Sequence, residues 1–289
     1  MEKSLFHNKM IRNIISFFIS ESSMVLEIIE DLKGKNPRFT IQINNDGQLW
    51  ASKKENIIIL GIGNIQRIFE ISNAFCKENE IDFDNTNFTD NKNIKKIDVC
   101  IENNITDSDI FQILTFLYKG YSKSAKVLTL YAMAFTLFHE FGHIKNDNES
   151  NFPITNEKDA DQFAFECIEQ ICSSELCKDY SISLYVLGAL MELLFILKNS
   201  KFDDSLVNQS HPHPVTRIYN LLDFFSIEDE SYLWSYSYEM IIQWMKHNNR
   251  IVSFEHESSI SPKEKLKDAY LFFKNAKNIQ SKINISNTI

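Results

Sequence analysis

One segment, residues 124–144, restricts the fold of this chain more than any other, because it is apolar nearly all round until its last turns. A helix that is hydrophobic on every side lies in a protein core or in a membrane. The longest apolar runs, residues 127–138 and 185–197, have 12 and 13 residues, whereas about 20 are needed to span a bilayer. The sequence therefore predicts a central buried helix at 124–144 and no membrane-spanning segment.

The first third of the chain has a different pattern. Residues 56–63, NIIILGIG, are typical of a buried strand, and residues 65–75 have helical periodicity. Residues 38–52 are typical of a β-hairpin that turns at Asp46-Gly47. The N-terminal third is therefore predicted to mix strands and helices.

The predicted fold class is α+β, because the remainder of the chain is mainly helical in pattern. A small mixed α/β N-terminal part, residues 1–120, is expected to pack on a mainly helical part, residues 121–289. The two parts form either separate domains or one continuous body. The N-terminal part is a candidate for recognition of a partner or substrate.

The net charge argues against nucleic-acid and membrane partners, and the cysteine content indicates the compartment. The net charge is −9, whereas nucleic acids and anionic membranes require clustered Lys and Arg. The five cysteines are odd in number and form no CxxC pair, which indicates reduced thiols and a cytosolic protein. No signal peptide is evident at residues 11–30. We expect a cytoplasmic chain whose partner is a protein or a small molecule.

The central segment ends in the motif HExxH, formed by His139, Glu140 and His143. Residues four apart share a helix face, so both imidazoles can reach one zinc ion. Glu140 is offset from that pair and suits the role of a general base toward water. The metzincin extension is absent, because Asn146 and Glu149 replace its glycine and histidine.

A third ligand is predicted from the next helical segment, NEKDADQFAFECI. Catalytic zinc usually takes three protein ligands and keeps one position open. Glu157 and Asp161 share a face of this segment, so we expect Glu157 to bind the metal and Asp161 to orient a ligand histidine. Gly142, Ala160 and Ala164 are small residues that allow the two helices to approach closely.

These residues also have structural alternatives. The two histidines could be satisfied core side chains, and the acids Glu157, Asp159 and Asp161 could form a solvated helix start that complements the helix dipole. The helix-dipole alternative explains neither the alanines nor the nearby HExxH, so the metal site is favoured.

A third polar segment, residues 209–222, contains His211, His213 and Arg217. Peptide cleavage needs a cationic or hydrogen-bonding group at the oxyanion, and each of these three could supply it. Alternatively, the HPHP stretch is a rigid turn and Arg217 is a structural ion-pair partner of an acid such as Asp161.

Glu192 is a lone acid within the second apolar run. It faces either the metal site or solvent, and solvent is the favoured interpretation.

Two other classes of function compete with a peptidase. A non-catalytic zinc-binding interaction module would need no Glu140, and structural zinc sites are usually closed Cys/His cages. A nucleotide-binding loop at Gly61-Ile62-Gly63 lacks the further glycine of GxGxxG, because Gln66 occupies that position. Both alternatives are therefore less favoured than a zinc peptidase.

Taken together, HEFGHI, EKDADQFA and HPHPVTRIYNLL resemble the Lit-type phage-exclusion peptidases, which are bacterial HExxH zinc peptidases of gluzincin-like type. More distantly, the same trio is similar to the HtpX and CAAX-prenyl endopeptidases. The resemblance covers roughly residues 125–222. It implies a zincin-like helical catalytic part.

The resemblance also implies the role of each matching residue. His139, His143 and Glu157 would hold zinc, with Asp161 as companion of the ligands and Glu140 as the base. His211 occupies the histidine of the HP motif, so it is preferred over His213, and Arg217 occupies the arginine. Lit-type peptidases cleave elongation factor Tu when a phage capsid peptide is present, which implies a similar protein substrate and a phage-derived activator peptide.

Overall fold

The computed structural model describes residues 40–44, 49–52, 57–79, 99–101, 123–145, 153–172, 181–200, 212–248 and 260–286. Seven helices account for most of them. They are α1 (Ile62–Glu78), α2 (Lys123–Lys145), α3 (Pro153–Cys172), α4 (Ser181–Asn199), α5 (Pro214–Phe224), α6 (Tyr232–His247) and α7 (Pro262–Ser286).

The predicted α+β class is wrong. Among the residues whose side chains the structure describes, 87% are helical. The reason lies in the packing of α1, which contacts both α2 and α4 and buries Ile68, Phe69 and Phe75. We predicted that a mixed α/β part would pack on the helical part. Instead, α1 packs directly on the other helices, so the part of the chain whose side chains are described is helical. The division at residue 120 stays a prediction.

Four short strands are described, almost entirely as backbone. They are β1 (Thr40–Asn44), β2 (Leu49–Ser52), β3 (Ile57–Gly61) and β4 (Val99–Ile101), in the order β2-β3-β1-β4. The hairpin predicted around Asp46-Gly47 is wrong, because β3 lies between β1 and β2, parallel to the first and antiparallel to the second. Hydrophobic alternation locates a strand but does not select its neighbour.

The prediction of a central buried helix is confirmed by α2. Every residue from 132 to 142 is buried, and α1, α3 and α4 all pack against this helix. The contact with α4 is close at Gly188, where an added Cβ would lie 2.5 Å from Cβ of Tyr131. A glycine is required there because any side chain would overlap α2.

None of the helices in the described ranges combines the length and the apolar character that crossing a membrane requires.

Candidate metal centre

The HExxH histidines and a carboxylate of the following helix converge at the crossing of α2 and α3. Nε2 of His139 lies 3.1 Å from Nε2 of His143. The carboxylate of Glu157, on α3, reaches both rings, with Oε2 3.4 Å from Nε2 of His139 and Oε1 3.3 Å from Nε2 of His143. Three side chains from two helices therefore bring two ring nitrogens and the two carboxylate oxygens of Glu157 together.

The spacing of these three donor groups fits a tetrahedral ion. With zinc–ligand distances of about 2.0–2.1 Å, neighbouring ligands of a tetrahedral site are separated by about 3.3 Å. The observed separations are 3.1, 3.3 and 3.4 Å. His139, Glu140 and His143 also offer donor atoms within 4.8 Å of one another and could hold a metal ion. Glu157 is the better candidate for a third ligand, because its carboxylate lies within 3.4 Å of both imidazoles and its use would leave Glu140 available as a base.

A close helix crossing brings Glu157 to the histidines. At Gly142 an added Cβ would lie 2.7 Å from Cα of Ala160, and Ala160 and Ala164 are fully buried. The predicted close approach is thus confirmed at Gly142 and Ala160. Helix α3 begins at Pro153, since proline suits the first helical position.

Gly142→Ala is expected to destabilise the fold by about 1–3 kcal/mol, because the new methyl group meets backbone atoms that cannot yield without moving α3. Moving α3 also moves Glu157, so metal affinity should fall. Gly188→Ala is the control, since its added Cβ would meet α2 at 2.5–2.6 Å, at least as closely as the Cβ at position 142 would meet α3. Denaturant unfolding should show a loss of stability in both variants. A metal titration should show weaker binding only in Gly142→Ala. Equal metal affinities for the two variants would contradict this role of Gly142.

The His139 ring is oriented by Asp161. Nδ1 of His139 lies 2.9 Å from Oδ1 of Asp161, so Nδ1–H donates to the carboxylate and the Nε2 lone pair is free for a metal. Burial lowers the pKa of His139, but the hydrogen bonds that its ring donates to the carboxylates of Asp161 and Glu157 outweigh burial and raise the pKa to about 9. A cation bound by the two Nε2 atoms would take the place of that proton.

Asp161 is in turn held by Arg217, from the second turn of α5. Nε and Nη2 of Arg217 donate to the two carboxylate oxygens at 2.8 and 2.7 Å, and both side chains are buried. Burial raises the pKa of Asp161, but the Arg217 guanidinium and the bond from His139 outweigh it, so the pKa is held below its usual value. The ion pair that the sequence left open as an alternative for Arg217 is therefore present.

Nη2 of Arg217 also lies 3.4 Å from Nδ1 of His139. Both atoms carry hydrogen when Nδ1 donates to Asp161, so this distance is a contact between neighbours and not a second hydrogen bond. The shorter distance to Asp161 fixes the tautomer.

Glu140 is buried beside the histidines with 6% of its surface exposed. Burial raises its pKa, and the nearby His139 and His143 partly offset the shift. A carboxylate with a raised pKa in a site that excludes water is typical of a general base.

Glu192 was missed by the sequence analysis, which favoured a solvent-facing position. The side chain is 3% exposed, and burial raises its pKa to about 7 against the opposing influence of Arg217 and His139. One sequence signal pointed to this position: Glu192 lies one turn after Gly188, on the face of α4 that contacts α2.

His213 has a structural place as the N-cap of α5. Its Nδ1 accepts a hydrogen bond from the Val215 amide at 3.2 Å, and its ring stacks on Phe273 with centroids 3.9 Å apart. Its side chain makes no bond to the metal-site residues that the structure describes. His211 lies outside the described residues, so its predicted role at the oxyanion stays a prediction.

The buried His213 is expected to make the fold sensitive to acid. Burial lowers its pKa to about 3 from 6.5, so the unfolded chain binds a proton between these values and the native chain does not. The contribution of His213 to the free energy of unfolding is therefore fully present above about pH 6.5. It falls as the pH drops toward 3, by up to about 5 kcal/mol.

His213→Asn is the test of that prediction, because asparagine keeps an N-cap acceptor and does not titrate. Urea unfolding between pH 7 and 4 should show the wild type losing about 1.4 kcal/mol more per pH unit than the variant. Parallel stability curves would contradict the assignment.

Residues 103–237 match the model of the Peptidase U49 family. This segment contains every residue of the candidate centre, and the match supports a proteolytic function and a peptidase family of the Lit type. The relation to HtpX stays a prediction. No curated protein and no solved structure matches the chain.

Proposed function

We propose that the chain is a zinc-dependent endopeptidase that hydrolyses a peptide bond in a protein substrate. The proposal is carried by one observation: the Nε2 atoms of His139 and His143 and the carboxylate of Glu157 are separated by 3.1–3.4 Å. Two imidazoles and one carboxylate are the ligands of many catalytic zinc sites, in which one coordination position stays open. The match to a peptidase family supports the same reaction.

His139, His143 and Glu157 would hold the ion. When bound, zinc supplies Lewis-acid chemistry, because it polarises a carbonyl group and makes water a stronger nucleophile at neutral pH. Glu140 takes the proton from the attacking water and later delivers it to the leaving amine. Its buried position keeps bulk water away from the carboxylate during both transfers.

Asp161 and Arg217 orient the ring of His139. Asp161 accepts the Nδ1 proton of His139 and so keeps Nε2 directed at the ion. Arg217 fixes Asp161 through two hydrogen bonds. Negative charge on the substrate carbonyl oxygen needs a donor, and His211 is our candidate, because Arg217 already gives two of its nitrogens to Asp161.

The proposed substrate is a cytoplasmic protein, and by resemblance a translation factor such as elongation factor Tu. By the same resemblance, cleavage would form part of a phage-exclusion response that a phage-derived peptide activates. The N-terminal part, residues 1–120, is the proposed region for recognising such partners.

Comparison of cellular protein N-termini tests this function. Wild type and Glu140→Gln are expressed in the same bacterial host, with and without phage infection, and new N-termini are identified by chemical labelling. We expect termini that appear only with the wild type and that map to one or a few proteins. If wild type and Glu140→Gln gave identical sets of termini, both with and without phage, the proposal would be refuted.

A further inference from the structure

Capping alone does not account for a histidine at position 213. Nδ1 of His213 accepts the amide hydrogen of Val215, so in the neutral ring Nε2 carries the hydrogen. Nε2 is buried and has no hydrogen-bond partner among the residues that the structure describes, and burying an unpaired donor is unfavourable. Serine, threonine, asparagine and aspartate are the preferred N-caps, and none of them has this ring donor.

The ring of His213 joins the start of α5 to the C-terminal helix. It stacks on the ring of Phe273, on α7, with centroids 3.9 Å apart and planes inclined by 18°. The ring of Trp244, on α6, meets it edge to face at 5.5 Å. All three side chains are buried. A serine or asparagine could cap α5 but could not stack on Phe273, since neither has a ring.

Arg217 is tied to the same residue through the backbone. The carbonyl oxygen of His213 accepts the amide hydrogens of Thr216 at 2.8 Å and of Arg217 at 3.2 Å. The side chain of His213 accepts the amide hydrogen of Val215, and Pro214 has none to donate. Every amide hydrogen in the first turn of α5 therefore bonds to His213.

Arg217 extends this arrangement to the metal centre. Its Nε and Nη2 donate to the two carboxylate oxygens of Asp161, and Asp161 holds Nδ1 of His139 at 2.9 Å. A guanidinium meets both oxygens of a carboxylate only in a narrow range of positions. A displaced first turn of α5 would therefore loosen Asp161 and, with it, the ring of His139.

We propose that His213 is a positioning residue, which sets Arg217 against Asp161 by joining the first turn of α5 to Phe273 on α7. Helix α7 carries none of the residues assigned to the metal centre, but through this contact it takes part in orienting His139. The expected effect on zinc binding rests on the proposed function, whereas the hold on Arg217 is a property of the folded chain alone.

The test removes each contact of His213 separately. His213→Phe keeps a ring beside Phe273 but has no acceptor for the Val215 amide, whereas Phe273→Leu keeps the cap and loses the stack. In the metal-free, ¹⁵N-arginine-labelled chain, the Nε–H signal of Arg217 is identified by its loss in Arg217→Lys. Its exchange with solvent should be roughly threefold to tenfold faster in both variants. Zinc affinity should fall roughly threefold to tenfold, less than the roughly 10–100-fold typical of a direct partner of a ligand.

Ser231→Ala is the matched control. Ser231 caps α6 as His213 caps α5, because its hydroxyl oxygen accepts the amide hydrogen of Leu233 at 3.3 Å, but α6 carries none of the residues assigned to the metal centre. Loss of this cap should lower the melting temperature by about 2–4 °C. Zinc affinity and the exchange of the Arg217 Nε–H should stay at wild-type values. Changes as large as those in His213→Phe would assign the effects to general stability and overturn the proposal.

A double-mutant cycle separates the contact through His213 from other packing of Phe273. His213→Asn keeps the cap and has already lost the stack, so Phe273→Leu should not weaken zinc binding further in that background. An equal loss in both backgrounds would show that Phe273 acts independently of His213, which would overturn the proposal. Wild-type zinc affinity and wild-type exchange in both His213→Phe and Phe273→Leu would overturn it as well.

The exchange measurement keeps this proposal separate from the proposed function. If the wild type binds no zinc, the proposed function fails, and the exchange of the Arg217 Nε–H still decides the role of His213. If His213→Phe does not fold, Phe273→Leu and the same cycle, measured by exchange, carry the test.

Discussion

Glu140→Gln is expected to reduce kcat for peptide cleavage by about 10²–10⁴-fold, because an amide cannot take a proton from water. Zinc should remain bound, since His139, His143 and Glu157 are unchanged. The buried carboxylate has a raised pKa, so its replacement by a neutral side chain should leave the fold at least as stable. Loss of activity with retained metal and retained stability separates a base from a ligand.

The measurement is single-turnover cleavage together with the zinc content of the same sample. His143→Ala is the comparison variant and should lose both zinc and activity. Cleavage by Glu140→Gln at the wild-type rate would show that another group serves as base. Loss of zinc from Glu140→Gln would instead make Glu140 a ligand, as its place in the His139–Glu140–His143 cluster also allows.

Arg217→Met is expected to destabilise the fold by about 3–5 kcal/mol, because it leaves the buried carboxylate of Asp161 without its countercharge. Both residues are buried, and two hydrogen bonds of 2.7 and 2.8 Å join them. The free Asp161 should also hold His139 less well, so metal affinity should fall with stability. Urea unfolding and a zinc competition titration measure the two effects.

Lys263→Met is the matched control for that experiment. Lys263 also pairs with two aspartates, Asp223 at 3.2 Å and Asp229 at 3.3 Å, but these carboxylates are 51% and 65% exposed. Solvent screens such pairs, so the loss should be at most about 1 kcal/mol. Equal losses of stability in Arg217→Met and Lys263→Met would show that the buried ion pair of Asp161 with Arg217 stabilises the fold no more than an exposed pair does.

The residues of the candidate metal centre could be predicted from the sequence, because within each helix they lie four positions apart and therefore on one face. HExxH places His139 and His143 on one face by spacing alone, and Glu157 and Asp161 repeat that spacing. Gly142 indicated the close crossing, since a glycine inside a helix needs a packing reason. The structure brings these residues together as their spacing indicated.

Features that depend on tertiary neighbours could not be predicted in the same way. Strand patterns in the N-terminal third suggested an α+β fold, but α1 packs on other helices and β3 separates β1 from β2. A solvent-facing position was favoured for Glu192 because its local sequence gives no polar partner, whereas the packing of the helices buries it. Likewise, the stacking of His213 on Phe273 joins segments distant in sequence.

Zinc competition titration of the metal-stripped chain tests the central claim most directly. The wild type should bind one zinc ion per chain, and Glu157→Gln should weaken binding by more than the roughly 100-fold typical of residues that only support a ligand. Asp159→Asn, a neighbouring acid on α3, should bind zinc as the wild type does. Equal zinc affinity in wild type, Glu157→Gln and Asp159→Asn would contradict the three-ligand centre.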